Sequence, residues 1–175
     1  QLKVTLDRQF KEPNNLYSLG TVFTNNYIYY IDKHKNIFRI SQNDTIDIKK
    51  HNNKKEKDIA LSLLGIPIGY FFFLKGMFVS HASIITRERN AISFLGQTSS
   101  GKSSLSNYLL SKNFKFCSED LSLIKRNHII DRSSNWIKLS KEMIRDSMEN
   151  FSDSRPIPGD RRNREFCILK DSLVF

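Results

Sequence analysis

Residues 1 to 50 alternate apolar and polar positions in the two-residue period of β-strands. Leu2, Val4 and Leu6 share one face. Tyr27 to Ile31 and Ile37 to Ile40 flank the polar stretch Asp32-Lys33-His34-Lys35-Asn36, a pattern that predicts a hairpin, and Thr45 to Ile48 adds a further strand. The expectation for 1–55 is a small, antiparallel, mostly β region. Its aromatic residues Tyr27, Tyr29, Tyr30 and Phe38 are the kind that pack sheet faces, although the same residue types can stack nucleic-acid bases.

The period then changes. Lys49 to Lys57 is a basic, Asn-rich run and the best linker candidate, after which Asp58 can cap a helix through Leu64, with Gly65 and Pro67 ending or redirecting it. Phe71 to Lys75 continues helically, Met77 to Ile85 reads as a buried strand, and Thr86 to Asn90 as a hairpin turn. From Ile59 to Ile85 the chain is long and apolar enough to raise the question of a membrane span. Gly65, Pro67, Gly69, Gly76, Lys75 and His81 interrupt it, which favours a buried helix and strand. The second region is accordingly placed at 56–175.

Ala91-Ile92-Ser93-Phe94-Leu95 predicts a strand that runs into Gly96-Gln97-Thr98-Ser99-Ser100-Gly101-Lys102-Ser103, and a helical pattern starts near Lys102 and ends at Asn113. The spacing is G-x-x-x-x-G-K-S, and strand, loop, helix is the order in which that spacing has a mechanism. Backbone N–H groups of the loop and first helical turn, Gly96 through Ser104, converge on one concavity where the helix dipole favours phosphate. Lys102 is the candidate for the β and γ phosphates, and the Ser103 hydroxyl for Mg²⁺.

After the helix comes Phe114-Lys115-Phe116-Cys117, then Ser118-Glu119-Asp120, an apolar strand ending in acids. An acid opposite Ser103, here Glu119, suits Mg²⁺, which prefers oxygen ligands, and a second, Asp120, can accept a proton from an attacking hydroxyl. Neighbouring side chains on a straight strand point to opposite faces, so both acids serve one site only if the chain bends there. Leu121 to Lys125 and His128 to Ile130 predict another hairpin, Trp136 to Leu139 a strand, and Met143, Ile144 and Met148 a core-facing helical stripe within 140–150. Residues 152–164 form a Pro- and Arg-rich loop before a last strand, Glu165 to Leu169. Arg161, Arg162 and Arg164 in that loop are candidates for neutralising charge on a transferring phosphoryl group, although a solvated basic loop has the same composition.

Composition adjusts this picture modestly. A chain of 175 residues with 39% hydrophobic content and 13 Phe is expected to fold around a sizeable core. A net charge of +10 points to anionic partners, whether nucleotides, acidic peptides or proteins, or nucleic acid, and charge alone does not choose among them. Cys117 and Cys167 show no zinc or disulfide spacing, which suits a reducing, cytoplasmic setting. The start at Gln1 and the strand-like end, Ser172 to Phe175, suggest a piece of a longer protein.

The order Gly76-Met77-Phe78-Val79-Ser80-His81-Ala82-Ser83, then Ala91 to Ser103, then Cys117 to Asp120 resembles the HPr kinase/phosphorylase family and its smaller relatives, some of which accompany peptide natural-product clusters. The resemblance is specific over residues 76–125. It implies an α/β fold with a P-loop-containing central sheet of the HPr-kinase/PEP-carboxykinase type, preceded by the small β region. It also implies that His81 matches the active-site histidine, Lys102 and Ser103 the phosphate and Mg²⁺ residues, and Glu119-Asp120 the paired acids, with Arg161 and Arg162 near a basic segment of the smaller relatives. Two positions depart from the family: Ser99 stands where glycine is usual, and Glu119 where aspartate is. The family's further Gly-rich segment and late acidic residue have no counterpart, so a phosphorylase reaction is not implied. The expected function is an ATP- and Mg²⁺-dependent kinase for a hydroxyl on a peptide or small protein, with a nucleotide sensor or a polynucleotide or small-molecule kinase as alternatives. No membrane is expected as a partner, and association with further copies of the chain is left open.

Overall fold

The computed structural model describes residues 1–6, 9–14, 16, 20–51, 56–97, 99–125, 130–131, 135–157 and 162–170. They form two compact units, Gln1–Val79 and Ser80–Phe175.

The first unit is a five-stranded sheet with two helices. Its strands are β1 (Lys3–Leu6), β2 (Gly20–Phe23), β3 (Tyr27–Ile31), β4 (Ile37–Ser41) and β5 (Thr45–Lys49), in spatial order β1-β5-β4-β3-β2. The expected hairpin is present, since Ile31 pairs with Ile37 across the polar turn and Asp32 Oδ1 accepts the main-chain N–H groups of His34 at 2.8 Å and Asn36 at 2.9 Å. Two expectations fail here. β1 runs parallel to β5, so the sheet is mixed, and Val4 and Leu6 are exposed. The helices α1 (Glu56–Leu63) and α2 (Ile66–Leu74) break at Gly65, and Pro67 lies in the first turn of α2, where its missing N–H costs nothing. Ile59 and Phe71 join Ile28, Phe38, Ile40, Ile46 and Ile48 in one core. Among the described residues no single helix is long and apolar enough to cross a membrane, although α1 and α2 pass that test as a pair bent by 43°.

A short strand, β6 (Phe78–Ser80), crosses the boundary between the units. The second unit then comprises β7 (Ala82–Arg87), β8 (Asn90–Leu95), α3 (Lys102–Leu110), β9 (Lys115–Ser118), β10 (Ser122–Ile124), β11 (Ile130–Asp131), β12 (Trp136–Ser140), α4 (Lys141–Arg145), β13 (Phe151–Pro156) and β14 (Arg164–Leu169). β7 pairs antiparallel with β8 on one side and β9 on the other, β14 lies between β12 and β13, and β10 pairs with β11. Phe116, Ile137, Leu139, Phe151, Cys167 and Leu169 form the main core of this unit, flanked by Leu110, Met143 and Ile144.

This corrects the expected fold class. Among the described residues the protein is mostly β, with 42% in strands and 23% in helices, arranged as several small sheets without a clear central P-loop α/β sheet. The strand that enters the phosphate loop shows why. A central strand of a parallel sheet is covered on both faces, whereas β8 lies at the edge of its sheet, with Ile92 42% and Leu95 66% exposed. The hairpin at Glu88, which adopts φ +57°, fixes antiparallel pairing of β7 and β8. Smaller expectations change as well. The strand expected over Met77 to Ile85 is interrupted at His81, and 152–156 of the loop expected over 152–164 belongs to the strand Phe151–Pro156. The helical stripe ends at Arg145, leaving Met148 66% exposed in a separate 3-10 turn.

Candidate functional site

The phosphate-loop residues form the expected strand, loop and helix order. Gly96 follows β8, and a Cβ there would meet Ser100 Oγ at 2.6 Å, so the loop closes tightly against its own start. Gly101 holds φ +90°, a left-handed conformation that glycine adopts without strain, and it caps α3 with no side-chain hydrogen bond. By contrast, Ser140 caps α4 by accepting from the Met143 N–H. Among the described residues no side chain accepts from the first-turn amides of α3. Lys102 Nζ folds back over the loop and donates to the carbonyls of Gly96 at 2.8 Å and Gln97 at 2.9 Å. Ser104 turns away, its hydroxyl donating to Met143 Sδ at 3.4 Å. Thr98 lies outside the described residues.

The acids stand at a bend. β9 ends at Ser118, and Asp120 has φ +63°, a conformation in which short polar side chains are enriched. The chain therefore turns at the second of the two consecutive acids. Glu119 is 5% exposed. Its Oε1 accepts from the Ser103 hydroxyl, and its Oε2 accepts from the Lys138 main-chain N–H at 2.6 Å. Asp120 Oδ2 pairs with Lys138 Nζ. Burial raises the Glu119 carboxyl from an ordinary 4.5 to about 7, with the Asp120 charge adding to the rise and the bonds from Ser103 and Lys138 opposing it.

His81 is exposed at the break between β6 and β7, and its Nδ1 lies 3.0 Å from the Asp120 main-chain carbonyl. A carbonyl only accepts, so Nδ1 carries the proton and Nε2 of the neutral ring is left as an acceptor. The histidine therefore meets the backbone of Asp120 and not its carboxylate. Arg162 Nη1 donates to Ser99 Oγ at 2.5 Å. Arg161 lies outside the described residues.

Four serines of 0% exposure brace these parts. Ser83 and Ser106 share a hydrogen bond of 2.8 Å between β7 and α3. Ser118 and Ser122 bond at 2.7 Å across the acidic bend, and Ser122 donates to the Ala82 carbonyl at 3.0 Å. The histidine side of β7, the start of α3 and the acids are thereby tied to one another.

Lys138 is the site residue that sequence reasoning missed. In β12 the odd-numbered Ile137 and Leu139 are buried, which turns Lys138 to the other face, where its ammonium lies 5.3 Å from the Trp136 ring and 5.7 Å from the Phe166 ring. The alternation in Trp136-Ile137-Lys138-Leu139-Ser140 is readable, but nothing local says that this strand passes the acids.

The donor set suits Mg²⁺. Ser103 Oγ and Glu119 Oε1 are adjacent oxygens, and a cation there would offset the cost of burying the carboxylate. Among the described residues no group of three His, Cys, Asp or Glu gathers into a metal-holding cluster. The protein share would thus be one hydroxyl and one carboxylate, within the one or two protein ligands that Mg²⁺ commonly takes alongside waters and substrate phosphates.

The chain matches no protein-family model, no curated protein and no solved structure.

Proposed function

We propose that this chain is an ATP- and Mg²⁺-dependent kinase that transfers a phosphoryl group to a hydroxyl, on a serine of a peptide or small protein. One observation carries the reading: the G-x-x-x-x-G-K-S loop opens a helix without a side-chain cap, and Ser103 of that helix bonds to a buried acid followed directly by a second acid. The resemblance over residues 76–125 supports the same reading through local order alone, since the segment runs strand, loop, helix, strand around His81, the loop and the acids.

In the proposed mechanism Lys102 leaves the Gly96 and Gln97 carbonyls for the β and γ phosphates of ATP. Ser103 and Glu119 would hold Mg²⁺, which when bound would supply positive charge to offset that of the phosphates. The acceptor hydroxyl oxygen attacks the γ phosphorus, the bond to the β–γ bridging oxygen breaks to release ADP, and Asp120 takes the hydroxyl proton. His81 keeps the Asp120 backbone in place through its Nδ1–H. A pair with Lys138 holds the Asp120 carboxylate before the acceptor arrives.

That same pair favours a second reading, a nucleotide-sensing module without transfer, because a carboxylate held by lysine is engaged before any substrate reaches it. The test is incubation with γ-labelled ATP and Mg²⁺ against a panel of peptides and metabolites, with products read by mass spectrometry. A labelled hydroxyl product supports the kinase. Nucleotide binding without product, unchanged in Asp120→Asn, supports the sensor.

A further inference from the structure

Ser99, in the loop before α3, holds φ +70°. A residue with a Cβ adopts that conformation at some cost, whereas glycine would adopt it freely. What serine supplies and glycine lacks is a hydroxyl, and that hydroxyl accepts the Arg162 guanidinium at 2.5 Å. Arg162 comes from the segment before β14, which is separate from the loop in sequence by 63 residues. Lys102 lies over the Gly96 and Gln97 carbonyls, so two cations bracket the loop, one from its helix and one from outside it.

The position of Arg162 limits what it can touch. Loop amides enclose the inner phosphates of a bound nucleotide, so a side chain arriving from another segment meets the outermost phosphate. A guanidinium there forms charge-assisted bonds with a terminal phosphate and loses them when that phosphate is absent. Both Ser99 and Arg162 are exposed, so the bond between them contributes little to folding and removing it leaves the fold in place.

We propose that Ser99 and Arg162 form a clasp that recognises the terminal phosphate of a nucleoside triphosphate, Arg162 as the contacting residue and Ser99 as its positioning residue. The clasp rests on the phosphate-loop reading above, but it requires no phosphoryl transfer.

The test is calorimetric titration of the full chain and its variants with Mg²⁺·ATP and Mg²⁺·ADP. Arg162→Ala and Ser99→Ala are each expected to weaken ATP binding about tenfold while leaving ADP binding within about twofold. The double variant should match the single ones, since both substitutions remove the same contact. Ser99→Asn should retain ATP preference, because asparagine tolerates left-handed backbone and its Oδ1 accepts from the guanidinium. Equal losses for both nucleotides, additive losses, or no loss in Arg162→Ala overturn the clasp and leave the phosphate-loop reading standing. A wild-type chain that binds neither nucleotide overturns both.

Discussion

The main-chain N–H of Lys138 donates to Glu119 Oε2 at 2.6 Å, while the Lys138 ammonium pairs with Asp120, so a single residue of β12 engages both consecutive acids. One contact is backbone and survives side-chain substitution, and the other is side chain and does not. Lys138→Met therefore separates them. Stability is expected to fall by about 1 kcal/mol or less, since the ion pair is partly solvated. Phosphoryl transfer is expected to fall about tenfold or more as Asp120 loses its orientation, which corresponds to roughly 1.4 kcal/mol in the barrier. Urea unfolding alongside a transfer assay checks both. A large stability loss with unchanged transfer would make Lys138 a structural residue only.

Glu119 sets a pH dependence whose sign follows from its burial. Its folded value of about 7 lies above the ordinary 4.5, so between those limits the folded protein keeps a proton that the unfolded chain has released. The associated stability is present below 4.5 and is lost as the pH rises to about 7, by on the order of 3 kcal/mol. Glu119→Gln has no such proton to lose. Its unfolding midpoint relative to wild type should rise between pH 4.5 and 7 and level off above, in thermal melts across that range. A constant difference between the two proteins at all pH values would place Glu119 in solvent.

The buried serine pair gives a prediction about the scaffold. Ser106→Ala leaves the Ser83 hydroxyl buried without the bond of 2.8 Å and should cost about 1–3 kcal/mol. The double variant Ser83→Ala/Ser106→Ala should cost less than the sum of the single ones, because no polar atom is then stranded. Denaturant unfolding of the four proteins measures the difference.

Lys102→Ala is expected to weaken binding of both ATP and ADP, ATP the more, since ADP keeps only the β phosphate of the two that Lys102 is proposed to contact, while the fold is retained because its present partners are two loop carbonyls that water can replace. Titration of both nucleotides checks it. Unaltered affinity would remove the loop from nucleotide binding.

What the sequence revealed depended on the range of the physics involved. The G-x-x-x-x-G-K-S loop is local in its backbone geometry: Gly101 needs a positive φ, Lys102 starts a helix, and Gly96 must approach Ser100, all within one stretch. The hairpins at 32–36 and 87–90 were equally local. The fold class was not, because it depends on which strands sit beside β8, and an alternating run such as Asn90–Leu95 serves an edge or a centre alike until its partners are known. Lys138 was hidden for the same reason, being 19 residues from Glu119 with no motif between them. The bend at Asp120 was legible only as a condition for two adjacent acids to share a site, and the chain does turn there with a positive φ.

The most direct measurement of the central claim is label transfer from γ-labelled ATP in the presence of Mg²⁺, comparing wild type with Lys102→Ala and Asp120→Asn after confirming that all three are folded. The account predicts a hydroxyl phosphoester product with wild type and its loss in both variants. Equal transfer by all three proteins would contradict it.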